Sequence, residues 1–347
     1  AAQLFSTSRG VTGSVFAALG IFYIIRAYGD MSGSGLSVIS PIGLGLRVSA
    51  FYEDSFVPVA ILLIEATVIG VAALAVCAGR DLGEGVIPAR KGRAHASRFL
   101  RGEFGLAWRL SRGVLFAWGA AALAIGVTYG SVIGEIDTFI SGNELYEQIL
   151  EASGSGNSMA DNYTAMVFSV GSLLASVPVI NLVNKIRSEE KHGRLEQIFA
   201  KAVPREKTLL SYIVLAFIES FVFLILMALG FFIPAQSTGG EGLTALMEAA
   251  LSYLPALWLM LGLCVLLIGL LPKLTSLVWA VFAYSFAMLY FGRLLDLPEW
   301  TWKLSPFGSI PQLPVQKFTA APLIILTVLA AAFTAAGVMG FRRRDVG

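Results

Sequence analysis

TLLSYIVLAFIESFVFLILMALGFFI, residues 208–233, is a run of 26 residues with the character of a membrane-spanning helix. Glu219 is its one charged side chain. A helix needs roughly 20 consecutive apolar residues to cross a bilayer, and this run is longer. Its apolar residues do not alternate with polar ones, as the strands of a membrane barrel would. The same reading extends along the chain and predicts eight spans: 10–27, 57–79, 113–134, 162–184, 208–233, 246–271, 275–294 and 321–341. Composition agrees. Of 347 residues, 56% are hydrophobic and 14% charged, where an ordinary soluble domain carries about 25% charged residues. The predicted fold class is all-α, a polytopic helical membrane protein.

Net charge is +2 and says little about partners; no nucleic acid is expected. Its distribution says more, because Lys and Arg gather on the cytoplasmic side of short loops. Residues 80–112 hold Arg80, Arg90, Lys91, Arg93, Arg98, Arg101, Arg109 and Arg112. Residues 185–207 hold Lys185, Arg187, Lys191, Arg194, Lys201, Arg205 and Lys207, and the tail holds Arg342, Arg343 and Arg344. The segment from Glu135 to Asp161 is acidic, with Glu135, Asp137, Glu144, Glu147, Glu151 and Asp161 and no Lys or Arg. Alternating the eight spans places every basic segment on one side and the acidic loop on the other. Both ends of the chain are then expected in the cytoplasm. The first run lacks the basic flank and cleavage site of a signal peptide and is read as a span.

Two regions repeat. "SPIG" at 40–43, "VP" at 57–58 and "RDLG" at 80–83 match "SPFG" at 305–308, "AP" at 321–322 and "RDVG" at 344–347. The separation from the second proline to the aspartate is the same in both, Pro58 to Asp81 and Pro322 to Asp345. Upstream, Arg26 with Asp30 resembles Arg293 with Asp296. An even number of crossings separates equivalent points, so the expected arrangement is a tandem, parallel pair of six-span units with the first incomplete. By analogy with residues 108–274, about 170 residues carrying four spans would precede residue 1. The expected divisions are 1–85 for the last two spans of a first half, 86–112 for a linker with an interfacial helix, and 113–347 for a second half.

The most polar segment is RSEEKHGRLEQIFAKAVPREK, 187–207. Leu195, Ile198, Phe199, Ala202 and Val203 follow the apolar spacing of an amphipathic helix, with Glu190, Arg194, Gln197 and Lys201 opposite. Glu190 and Arg194 are spaced as an i, i+4 pair, and Pro204 stops the pattern. The expected element is one helix, 187–203, lying beneath the membrane. By pattern alone it is either a lever for a partner or a solvated helix that sets topology. Residues 98–112 form a more basic counterpart, with Arg98, Arg101, Arg109 and Arg112 on one face, suited to anchoring on anionic lipid.

The element after the second span of the six-span unit resembles that of type-2 ABC exporter permeases. There a Glu-Glu pair is followed by Gly, a basic or hydroxyl residue, Leu-Glu, and a Pro-x-basic turn. Here those residues are Glu189, Glu190, Gly193, Arg194, Leu195, Glu196, Pro204 and Arg205, the last following the proline directly. The resemblance implies that this helix contacts a separate ATP-binding cassette subunit, expected in two copies and holding ATP and Mg. It also implies a bacterial plasma membrane. The two-copy layout resembles the polyketide-antibiotic (tetronasin-type) exporter branch, which implies export of small hydrophobic or amphipathic compounds by alternating access.

Glu65 and Glu219 lie inside spans, where a carboxylate is costly and faces the bundle interior or water. Each is either a contact of the translocation path or a helix–helix hydrogen bond. With these two as coupling carboxylates, the rival activity is gradient-driven secondary transport; a scaffold subunit without transport is another. The Ser-Pro-x-Gly stretches, where Pro and Gly break longer helices, read as short re-entrant or surface helices that cap the outer end of a pathway, or as ordinary outer loops. No phosphate-binding G-x-x-x-x-G-K-[ST] or H-E-x-x-H motif occurs. His95 and His192 read as surface histidines, and Cys77 and Cys264 as small apolar packing residues. No catalytic residue, metal or cofactor is expected in this chain.

Overall fold

The computed structural model describes residues 1–32, 35–49, 52, 55–80, 85–87, 95, 97–134, 159–200, 204–236, 241–292 and 298–344. The acidic positions Glu135 to Glu151, the basic cluster Arg90, Lys91 and Arg93, residues 201–203, the Arg293–Asp296 pair and the aspartates Asp81 and Asp345 lie outside them. The chain divides into two compact units, Ala1–His95 and Ala96–Gly347.

The first unit contains α1 (Ser8–Ser32), a 3-10 turn (Gly35–Ile39), α2 (Pro41–Leu46) and α3 (Val57–Ala78). Pro58 stands in the first turn of α3, where its missing N–H costs nothing. The turn folds back against α1, and Arg47 Nη2 donates to Ser37 Oγ at 2.9 Å. Arg26 and Asp30 form an i, i+4 ion pair on α1 at 3.2 Å.

The second unit contains α4 (Glu103–Gly130), α5 (Met159–Lys191), α6 (Arg194–Phe199), α7 (Arg205–Ala235), α8 (Leu243–Leu251), α9 (Leu254–Leu270), α10 (Leu277–Phe291), α11 (Glu299–Leu304) and α12 (Ala320–Arg343). All eight predicted spans fall on helical stretches long and apolar enough to cross a membrane, but 246–271 is carried by α8 and α9 in succession, broken at Ser252 and Tyr253, and the described part of 275–294 by α10 behind a 3-10 turn, Pro272–Leu274. Without a hydrophobic force between helices in lipid, close contact depends on small residues. Helices α4 and α7 meet in this way: a Cβ on Gly126 would lie 2.2 Å from the Met227 carbonyl oxygen. Helices α9 and α12 meet at Gly269 and Gly337, where an added Cβ on Gly269 would lie 2.0 Å from the Gly337 oxygen. Between these pairs runs α5, mostly buried and packed on α4, α7, α9 and α10. Its buried Ser169, Ser172 and Ser176 satisfy their hydroxyls on carbonyls three residues back.

Two expectations for helices are corrected. The basic segment 98–112 is not a separate interfacial helix. A 3-10 turn, Arg98–Arg101, leads into α4, which runs unbroken from Glu103 through the span. No proline interrupts it, so the polar turn simply extends the apolar helix, with Arg109 and Arg112 exposed. Nor is 187–203 one helix. α5 continues to Lys191, Gly193 takes a left-handed φ of 66°, and the short α6 begins at Arg194. Glycine ends the helix there because it alone adopts that backbone without penalty.

The two Ser-Pro-x-Gly turns share a local geometry, each within its own unit. The Ser40 N–H donates to the Ser37 carbonyl at 3.3 Å, and the Ser305 N–H to the Trp302 carbonyl at 3.0 Å. An added Cβ on Gly43 would sit 2.0 Å from the Ser37 oxygen, and on Gly308 2.4 Å from the Trp302 oxygen. Both serines are buried. The same backbone approach explains glycine at the fourth position of both motifs.

Candidate functional site at the basic end of the second unit

The α5 C-terminus, α6 and the N-terminus of α7 meet the C-termini of α9 and α12 at one end of the second unit. Tyr163, at the start of α5, donates its hydroxyl to the Tyr129 carbonyl near the end of α4 at 3.0 Å, marking the opposite end. At the basic end, Lys185 Nζ reaches the Leu110 carbonyl. These contacts set α4 and α5 antiparallel, as the alternation of charge predicts.

Residues 189–205 are organised by three observations. The Gly193 N–H donates to the Glu190 carbonyl at 2.9 Å, closing α5 before α6 turns away. Leu195 is buried, while Ile198 and Phe199 are half-buried beside it. Arg205 lies over the Phe199 ring, 5.8 Å from its centroid. The apolar face of α6 therefore packs inward, and Glu196 and Gln197 stand exposed. Pro204 is the residue before α7 and sets its entry with an extended backbone.

The Glu pair differs from expectation. Glu190 was expected on the polar face of the helix, paired to Arg194. Instead Glu190 is 11% exposed and Glu189 15%. Arg194 Nε lies 2.6 Å from Glu189. Glu190 takes a charge-assisted hydrogen bond from Arg344 Nη2 and an ion contact with Arg187 Nη1 at 2.9 Å, bent too far for a hydrogen bond. Arg344 Nη1 donates to the Ile268 carbonyl at 2.8 Å, and Arg205 Nη1 donates to the Arg344 carbonyl at 2.7 Å. The break at Gly193 is the reason: an i, i+4 pair needs a continuous helix, and the turn sends Arg194 toward Glu189 instead.

Arg344 is thus the residue that sequence reasoning missed. It joins the ends of α5, α7, α9 and α12 through one guanidinium and one carbonyl. Its planar fork of donors suits that task better than a lysine would. The recurring Arg-Asp at the ends of the two repeats was the signal for it. Beside this clamp, a cavity of about 470 Å³ is lined by Glu103, Leu106, Leu110, Glu189, Arg194, Gln197 and Tyr212, among others.

The two intramembrane carboxylates are placed separately. Glu65 is half-buried on α3 in the first unit. Glu219, on α7, is 4% exposed. It lines a groove of about 360 Å³ between α4 and α7, and its Oε1 has no hydrogen-bond partner among the described residues.

Residues 100–342 match the family described as multidrug efflux system permease Rv1217c, C-terminal domain. The chain belongs to this family. The matched region falls within the second unit, the one that carries the clamp. The multidrug efflux system permease protein Rv1217c of Mycobacterium tuberculosis (strain ATCC 25618 / H37Rv) is 33% identical over 350 residues. That alignment covers 100% of this chain and 64% of the relative, so the chain spans less than two thirds of the relative's length. The permease family agrees with the multi-pass helical architecture.

Proposed function

We propose that the chain is a permease subunit of an ATP-driven ABC exporter. It moves hydrophobic or amphipathic compounds out of the cell by alternating access and supplies no bond chemistry itself. A separate ATP-binding cassette subunit, in two copies, carries ATP and Mg. The chain sits in the cell membrane with its basic ends in the cytoplasm, by the excess of Lys and Arg there. The tetronasin-type branch is the finer assignment, supported by the paired Arg-Asp-x-Gly endings.

The observation that carries this reading is α6. A six-residue helix is about 9 Å long and is not stable alone. It is held by buried Leu195, by the Glu189–Arg194 pair and by the Arg344 clamp next to it. A force on its exposed Glu196 and Gln197 would therefore pass into α5, α9 and α12 together rather than bend a loop. Affinity purification of the chain in mild detergent from its own host tests the reading. A phosphate-binding-loop protein should co-purify, and Glu196→Arg with Gln197→Arg should release it while leaving the permease monodisperse. Full export by the chain without any ATP-binding partner would defeat the proposal.

A further inference from the structure

The α4/α7 groove lies apart from the clamp and is built differently. Its floor holds Glu219, buried and with an unpartnered oxygen. Trp108 and Phe116 form aromatic walls, and among the described residues no Lys, Arg or His lines it. The groove opens at Phe116, Ile218 and Val222, all exposed. Glu219 stands twelve residues beyond Lys207 along α7, about 18 Å at the helical rise, so it lies near the middle of a hydrocarbon layer about 30 Å thick. A carboxylate there is expensive unless something compensates it. The neighbouring polar groups do not. The indole N–H of Trp258 donates to Ser220 Oγ at 3.2 Å, and Ser220 donates to the Phe217 carbonyl.

We propose that this groove binds lipophilic organic cations, with Glu219 as the counter-charge and Trp108 and Phe116 as the aromatic contacts. The inference deepens the export reading and rests on it for the ligand's fate, though not for its binding. The volume suits a drug-sized molecule. A cation delocalised over aromatic groups enters the bilayer at low cost, contacts ring faces favourably, and brings the opposite charge that the Glu219 carboxylate is without in the groove. A neutral molecule of the same shape would fill the groove but leave the carboxyl uncompensated. A lipid acyl chain would do the same.

The test uses the full chain in phosphatidylcholine nanodiscs, without nucleotide or partner. Tetraphenylphosphonium is the probe, and triphenylphosphine oxide is its uncharged counterpart. Saturable binding of the cation is expected, weakened tenfold or more by Glu219→Gln, with the neutral compound's weaker binding unchanged. Ala120→Trp fills the open side of the groove without touching the carboxyl, and it should block both probes. Size-exclusion profiles establish that each variant is folded. Equal cation affinity in wild type and Glu219→Gln, or equal binding of the two probes by wild type, would overturn the inference. So would undiminished binding in Ala120→Trp. Because the assay needs no ATP-binding subunit, these failures leave the export proposal standing, and loss of partner co-purification leaves this one standing.

Discussion

Replacing Arg344 with Ala should cost far more than replacing an exposed arginine. Arg344 is 16% exposed and Glu190 11%. The substitution deletes the hydrogen bond to Glu190 and the one to the Ile268 carbonyl. Glu190 is left with the bent contact to Arg187 alone. Removing one partner of a buried ion pair typically costs about 3–5 kcal/mol. Residual exposure and the second arginine lower this, so about 2–3 kcal/mol is expected here. Reversible unfolding in mixed micelles with increasing dodecyl sulfate measures it. A double-mutant cycle with Glu190→Gln should return a coupling energy of about 1–2 kcal/mol. Arg342 is the internal control: it is 73% exposed and 4.0 Å from Glu206, and Arg342→Ala should change stability by less than about 0.5 kcal/mol. If Arg344→Ala costs no more than Arg342→Ala, the guanidinium is not a clamp and the reasoning fails.

Reversing Glu189 and Glu190 together to Lys should give a poorly folded, aggregating protein, because each new cation faces an arginine at a part-buried site; a normal size-exclusion profile would contradict this. Gly193→Ala should cost about 1 kcal/mol, since an added Cβ meets no atom within 4 Å and only the left-handed backbone is strained. The same unfolding assay reads that loss, and an unchanged midpoint would show that the turn relaxes. In a background with the exposed Cys77 replaced, Ser131→Cys should react with an impermeant thiol reagent on intact cells and Gln197→Cys should not. The opposite labelling pattern would invert the assigned orientation.

The eight spans, the antiparallel order of α4 and α5 and the apolar face of α6 were legible in the residues alone. Each depends on local composition: a helix of apolar residues satisfies its own backbone in lipid wherever its neighbours lie. The Ser-Pro-x-Gly repeat was legible for a similar reason, because its geometry closes within a few residues. Local pattern also had limits. It could not show that the polar turns of 103–112 simply prolong α4, or that Gly193 would break 187–203 in two. The partners of the charges emerged only from the packing of the helices. Glu190 and Arg344 are 154 residues apart, and Arg205 and Arg344 are 139 apart. They meet because the glycine contacts of α9 with α12, and the packing of α5 on α7 and α9, bring four helix ends together. The same packing turned Glu219 from an ambiguous carboxylate into the floor of a groove. Periodicity reports which face of one helix is apolar, whereas the partner of a charge depends on where other helices end in space.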